Sequence, residues 1–101
     1  MFEDISLMGQ SMALVLAEDY LSAMGFSREW LIKQLKFEGF TIKEATYAAD
    51  NCGADWKEQA VRVAKKYLNK MILSREALIE QLKFEGFTNE EAVYGVNMSF
   101  K

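Results

Sequence analysis

The sequence predicts an all-α protein built as two tandem three-helix repeats, each containing a helix-turn-helix-like pair. Three observations predict it: an internal repeat at an offset of 47 residues, apolar positions at helical spacing, and cap residues at matching places in both copies. Ser27 to Thr41 reads SREWLIKQLKFEGFT, and Ser74 to Thr88 reads SREALIEQLKFEGFT. Upstream, Ala13, Ala17, Tyr20, Leu21 and Met24 match Ala60, Ala64, Tyr67, Leu68 and Met71. Downstream, Glu44, Ala45 and Tyr47 match Glu91, Ala92 and Tyr94. The shared run QLKFEGFT, in register with all these matches, marks a duplicated structural unit and not a bias of composition.

Each element follows from local signals. The first helix is expected from about Gly9 to Met24, and its counterpart from Trp56 to Met71. In the counterpart, Val61, Ala64, Leu68 and Met71 form one apolar stripe, with Arg62, Lys65, Lys66 and Asn69 opposite. Asp55 is its expected N-cap, and Glu58 is placed to complete a capping box. Ser27 and Ser74 cap the second helices, which end where Gly39 and Gly86 can take a left-handed conformation. Thr41 with Glu44, and Thr88 with Glu91, open the third helices as capping boxes. These helices end near Cys52–Gly53 and near Met98. The chain therefore divides into a first repeat, residues 1–54, and a second, residues 55–101. A three-helix unit of this size is marginal alone. The expectation is one compact tandem with a shared core.

Composition removes several classes of function. Half of the residues are hydrophobic and 13% are aromatic, too many for a disordered chain. The longest apolar run, Met12 to Ala17, is far short of a bilayer span. The acidic start, Met-Phe-Glu-Asp, does not read as an export signal. There is no His, so neither a Ser-His-Asp nor a Cys-His nucleophile can be assembled. Cys52 is the single thiol and can form neither an intrachain disulfide nor a Cys-rich metal site. The six Gly are isolated, so no phosphate-cradling loop is present. The sequence reads as a binding module and not an enzyme, with no catalytic residue, cofactor or metal expected.

Net charge is −3, distributed in blocks. Residues 1–55 carry nine acids and four bases, residues 56–75 six bases and one acid, and residues 76–101 five acids and two bases. Nucleic-acid recognition by the helix-turn-helix pairs needs bases on the third helices. Those helices read IKEATYAADN and NEEAVYGVNM, with Lys43 the single base. An intracellular nucleic-acid-binding module is therefore the alternative reading and not the leading one. The basic face from Lys57 to Lys70 reads first as a solvated helix face, its last lysines complementing the helix dipole, or as a surface lying against the acidic first repeat. Phe40 and Phe87, beside the C-cap glycines, are expected in the core. Phe37 and Phe84 fall off the Leu35 and Leu82 faces and are candidates for exposure. Trp56 is expected to pack between the repeats.

The pattern A-x-x-Y-L followed by S-R-E-x-L-I-x-Q-L-K-x-E-G-F-T-x-x-E-A-x-Y resembles the repeat of the host cell surface-exposed lipoproteins, the Ltp family. The likeness covers Ala13 to Asp50 and Ala60 to Asn97, and Asp55-Trp56 fits the family's opening of a repeat. The loop Met24-Gly25-Phe26 is also similar to that of ubiquitin-associated domains, but the second copy reads Met71-Ile72-Leu73 there. The Ltp resemblance implies a lipid-anchored protein on the outer side of the membrane of a Gram-positive cell. For phage-encoded members it implies superinfection exclusion, in which DNA entry by a later phage is blocked. Membrane association would then come through an N-terminal lipid anchor outside this sequence, because Cys52 follows Asp50-Asn51 and not an apolar stretch. The partner implied is a protein, a basic phage tail or DNA-injection component. The acidic third helices offer Glu44, Asp50, Glu90 and Glu91 as candidate partner-binding residues. The plain alternative is that Glu44, Glu90 and Glu91 serve their helix N-termini.

Overall fold

The computed structural model describes the backbone of residues 2–101 and the side chains of residues 7–101. Among the described residues it contains six α-helices: α1 (Phe2–Ala23), α2 (Arg28–Phe37), α3 (Ile42–Asn51), α4 (Trp56–Lys70), α5 (Arg75–Phe84) and α6 (Asn89–Ser99). No strand occurs among these residues. The caps are made as the sequence dictates. The hydroxyls of Ser27 and Ser74 accept from the backbone of Trp30 and Ala77, both at 3.1 Å. Thr41 and Glu44 exchange both capping-box bonds, as do Thr88 and Glu91. Gly39 (φ +106°) and Gly86 (φ +98°) end α2 and α5. There the chain turns back so that Phe40 and Phe87 donate to the carbonyls of Leu35 and Leu82.

Two local expectations are corrected. The first helix begins at Phe2 and not near Gly9, because nothing before Gly9 breaks a helix and one interior Gly costs only about 1 kcal/mol. At α4 the cap is one-sided. Asp55 accepts from the backbone of Lys57 and Glu58, but the Glu58 carboxylate turns away to accept from the Tyr94 hydroxyl at 3.0 Å.

Within each repeat the third helix packs against both others. In the first, Ala13 and Ala17 of α1 and Ala45, Ala48 and Ala49 of α3 are buried together with Leu31 and Leu35 of α2. Small side chains let α1 and α3 approach closely. The second repeat tightens the same contact: a Cβ on Gly95 of α6 would lie 2.7 Å from the backbone of Ala60 on α4. Leu78 and Leu82 of α5 complete that core with Phe87 and Val96. Phe87 is buried as expected, whereas Phe40 is only half-buried against the first core.

The expected shared core is not formed. The buried residues make two clusters with no member in common. The molecule extends 53 × 20 × 19 Å, and its Cα radius of gyration of 14.9 Å exceeds the ~13 Å of a compact domain this size. The physical reason is that each unit's apolar stripe is already spent on its own third helix.

A small, mostly polar junction holds the repeats in a row. The loop between α1 and α2 sits on α4 and on the end of α5. Phe26 N–H donates to Gln59 Oε1 at 3.2 Å, and the Ser27 hydroxyl donates to the Glu85 carbonyl at 2.6 Å. Arg62 reaches back to the carbonyls of Leu21 and Ser22, capping the end of α1. The basic helix thus meets the first repeat through backbone carbonyls and not through its acids. Gly25 is pressed onto α4, where a Cβ would lie 2.9 Å from Val63 Cγ2. Gly86 is pressed onto the start of α2, where a Cβ would lie 2.8 Å from Ser27 Oγ. Trp56 packs from α4 onto the first core, as expected.

Candidate functional site

Each of the four acids expected to form a binding face already has a partner inside its own repeat. Glu44 and Glu91 are half-buried and spend one carboxylate oxygen on the backbone N–H of Thr41 and Thr88, both at 2.9 Å. The Glu44 carboxylate also lies over the α1 backbone at Gly9, where any side chain would collide with it. Asp50 makes a two-pronged pair with Arg28, at 2.8 and 3.2 Å. The guanidinium holds the Asp50 carboxyl below its ordinary range and is itself raised by the pairing. Glu90 pairs with Lys57 at 2.9 Å, and this contact raises the Lys57 ammonium pKa. Asp50 and Glu90 keep half or more of their side-chain surface in water.

The pairing also differs between copies. Position 47 residues after Asp50 is Asn97, which receives a hydrogen bond from Arg75 where Arg28 has an ion pair. Position 47 residues before Glu90 is Lys43. Glu44 and Glu91 are thus the acids of this set that are duplicated, and both are cap residues.

Two further features are duplicated, the first missed by the sequence reading and the second expected from it. The first is a polar triad. Tyr20 donates to Glu38, and the Gln34 amide bridges both, at 3.2 Å to each. Tyr67, Glu85 and Gln81 repeat the arrangement, with Gln81 at 3.2 and 3.0 Å. The Tyr20 phenol is raised above its ordinary pKa mainly by its bond to Glu38, and the Tyr67 phenol mainly by burial. The triad locks the first helix of each repeat to the end of the second. Its signal was present: Tyr, Gln and Glu are all kept at the 47-residue offset, although the tyrosines lie on their helices' apolar stripes and read as core. The second feature is a matched pair of exposed aromatics. Phe37 is 85% exposed and Phe84 is 77% exposed. Core packing therefore does not account for the Phe at this repeated position.

No group of His, Cys, Asp and Glu able to hold a metal ion occurs among the described residues. No described helix is long and apolar enough to cross a membrane. The fold defines a class: a row of two small three-helix repeats.

The chain belongs to the family of host cell surface-exposed lipoproteins, whose model matches residues 10–52 and again residues 55–98. A solved structure of Ltp, a superinfection exclusion protein from the Streptococcus thermophilus temperate phage TP-J34, is similar to it with a TM-score of 0.82 and 35% sequence identity. That match covers 88% of this chain and 93% of the other. A search of curated protein sequences gives no match.

Proposed function

We propose that this protein acts in superinfection exclusion, displayed outside the membrane on a lipid anchor and binding a protein that an infecting phage uses during DNA entry. The observation that carries this reading is the likeness to a superinfection exclusion protein along nearly the whole of both chains. Contact with a protein, and not catalysis, is supported by the matched exposure of Phe37 and Phe84, since exposed aromatic anchors are what partner surfaces use. The acids Asp50 and Glu90, though paired, keep enough exposure to add a negative field that speeds encounter with a basic partner.

The test displays the protein on susceptible cells and measures phage DNA entry separately from adsorption. Two variants divide the surface without disturbing the caps. Phe37→Ser with Phe84→Ser removes the aromatic pair. Asp50→Asn with Glu90→Gln, combined with Glu44→Gln and Glu91→Gln, removes the acids while leaving side-chain oxygens to serve the capping boxes. We expect the parent to block DNA entry with adsorption unchanged and the aromatic variant to lose most of that block. The acid variant should lose part of it. A parent that blocks no phage of its host overturns the proposal. Tight, salt-sensitive binding of duplex DNA would favour the nucleic-acid reading instead.

A further inference from the structure

The junction between the repeats is a plug-and-groove contact, and the molecule carries a second groove that is open and a second loop that, beyond Met71 at the junction, stands exposed. The plug in use is the loop Met24–Ser27. Its counterpart 47 residues on, Met71–Ser74, has Met71 half in water and Ile72 fully exposed. The Ser74 hydroxyl accepts its cap bond as Ser27 does, but donates to none of the described residues, whereas Ser27 donates to Glu85.

The groove in use is formed by Gln59, Arg62 and Val63 on α4 and by the turn at Glu85–Gly86. The matching positions on the first repeat are Met12, Val15 and Leu16 on α1 and the turn at Glu38–Gly39. Met12, Val15 and Leu16 line an open groove of about 430 Å³ together with Phe40 and Asp19. Met12 and Val15 are each about 60% exposed, and a Cβ on Gly39 would meet nothing within 4 Å.

We propose that a second copy of this chain fills the groove, inserting its Met71–Ser74 loop against Met12, Val15 and Leu16 so that copies associate head to tail. Two observations commit the groove to that occupant. The contact continues an interface the molecule already makes once.

The side chains of plug and groove also change character together, toward apolar. Inside the molecule a small plug residue, Gly25, lies flush on Val63 beside the long Arg62. At the free ends a large one, Ile72, faces a groove where Arg62 is replaced by the shorter Val15, Gln59 by Met12 and Val63 by the larger Leu16, so the loop must sit farther out than Gly25 does on Val63. An apolar plug thus meets an apolar groove. Lys70 leads into the plug and Asp19 lines the groove, so the approaching ends carry opposite charges. By the same superposition of repeats, the exposed Met98 and Phe100 at the end of α6 face the exposed Leu7 and Met8 near the start of α1.

The copied contact is weaker than the original. Met12 offers the loop N–H only a weak thioether acceptor in place of the Gln59 amide oxygen, and Val15 cannot cap carbonyls as Arg62 does. Because the two surfaces differ, the contact is heterologous and propagates instead of closing on itself.

Sedimentation velocity on the full chain, from about 10 μM to about 1 mM, tests this directly. We expect the weight-average sedimentation coefficient to rise with concentration, and Ile72→Asp to remove the rise. Ile72 makes no internal contact that its loss would disturb, so the helical content of that variant should match the parent. A pair of chains in a Cys52→Ser background, one with Ile72→Cys and one with Val15→Cys, should form a disulfide-linked heterodimer when mixed and oxidised. A control pair with Phe84→Cys in place of Ile72→Cys should link several-fold less. A parent that sediments as a monomer throughout, or a heterodimer yield no higher than the control, overturns the proposal.

Discussion

The two turns at Gly39 and Gly86 have the same eight-residue sequence and different roles. Each ends a helix, returns the chain with the same hydrogen bonds and precedes a capping box. Yet Glu85 is buried and its carbonyl receives Ser27, while Glu38 and Gly39 stand open. The difference lies wholly in what stands next in the row. Local sequence builds the unit, and its position in the tandem decides which of its surfaces become interior. Repeat proteins behave this way generally, with stability divided between units and the interfaces that join them.

The comparison is most severely tested through the cores. Leu35 and Leu82 are equivalent, fully buried and assigned to different clusters. Leu35→Ala and Leu82→Ala should each cost about 2–5 kcal/mol, because a cavity forms in a core already filled by alanines. With separate cores, amide exchange should accelerate mainly in residues 2–54 for the first variant and in residues 55–101 for the second. Equal acceleration across both repeats in both variants would mean that the thin junction makes them a single cooperative unit.

The turns themselves give a finer measure. Gly39→Ala places a Cβ where φ is strongly positive, which costs about 1–2 kcal/mol and nothing more, since the space around it is open. Gly86→Ala carries the same backbone cost and also drives a methyl to 2.8 Å from Ser27 Oγ and 2.9 Å from Glu29 Cβ. Overpacking of that kind adds about 1–3 kcal/mol. The excess of the second variant over the first, read from urea unfolding, reports the junction alone. Equal losses would show that the repeats separate without penalty.

Much of this architecture was legible because its signals are local. Caps at Ser27, Thr41, Ser74 and Thr88 depend on residues within a single turn, and the repeat offset shows that each was used twice. What failed was the inference from marginal size to a shared core. Periodicity shows that a helix has an apolar face but not which neighbour takes it. Here α3 and α6 take those faces within their own repeats. The acids show a similar limit. Composition identifies Asp50 and Glu90 as free charges, but Arg28 lies 22 residues from Asp50 and Lys57 lies 33 residues from Glu90, and only the fold brings the partners together. Gly25 and Ser27 were read as loop and cap, yet they form the inter-repeat contact. No spacing rule announces a contact made across a junction.

The smallest expected effect separates the repeats by pH. In the first, Arg28 bonds a carboxylate at Asp50, and in the second Arg75 bonds the uncharged amide of Asn97. Arg28 holds the folded-state pKa of Asp50 below its ordinary 3.8, so the folded protein binds this proton less readily than the unfolded chain. The resulting stabilisation is present above pH 3.8 and is lost as pH falls below that value and through the depressed pKa. Asp50→Asn should remove the acid-sensitive contribution of the first repeat by making it resemble the second. At neutral pH the loss should stay within the ~0.2–1 kcal/mol of an exposed pair, because both side chains remain largely solvated. Asn97→Asp should do the reverse, adding a titrating carboxylate beside Arg75 and steepening the acid limb. Urea unfolding above and below pH 3.8 distinguishes the cases. Identical pH dependence in the parent and in both variants would mean that neither arginine discriminates a carboxylate from an amide, and that this difference between the repeats carries no energy.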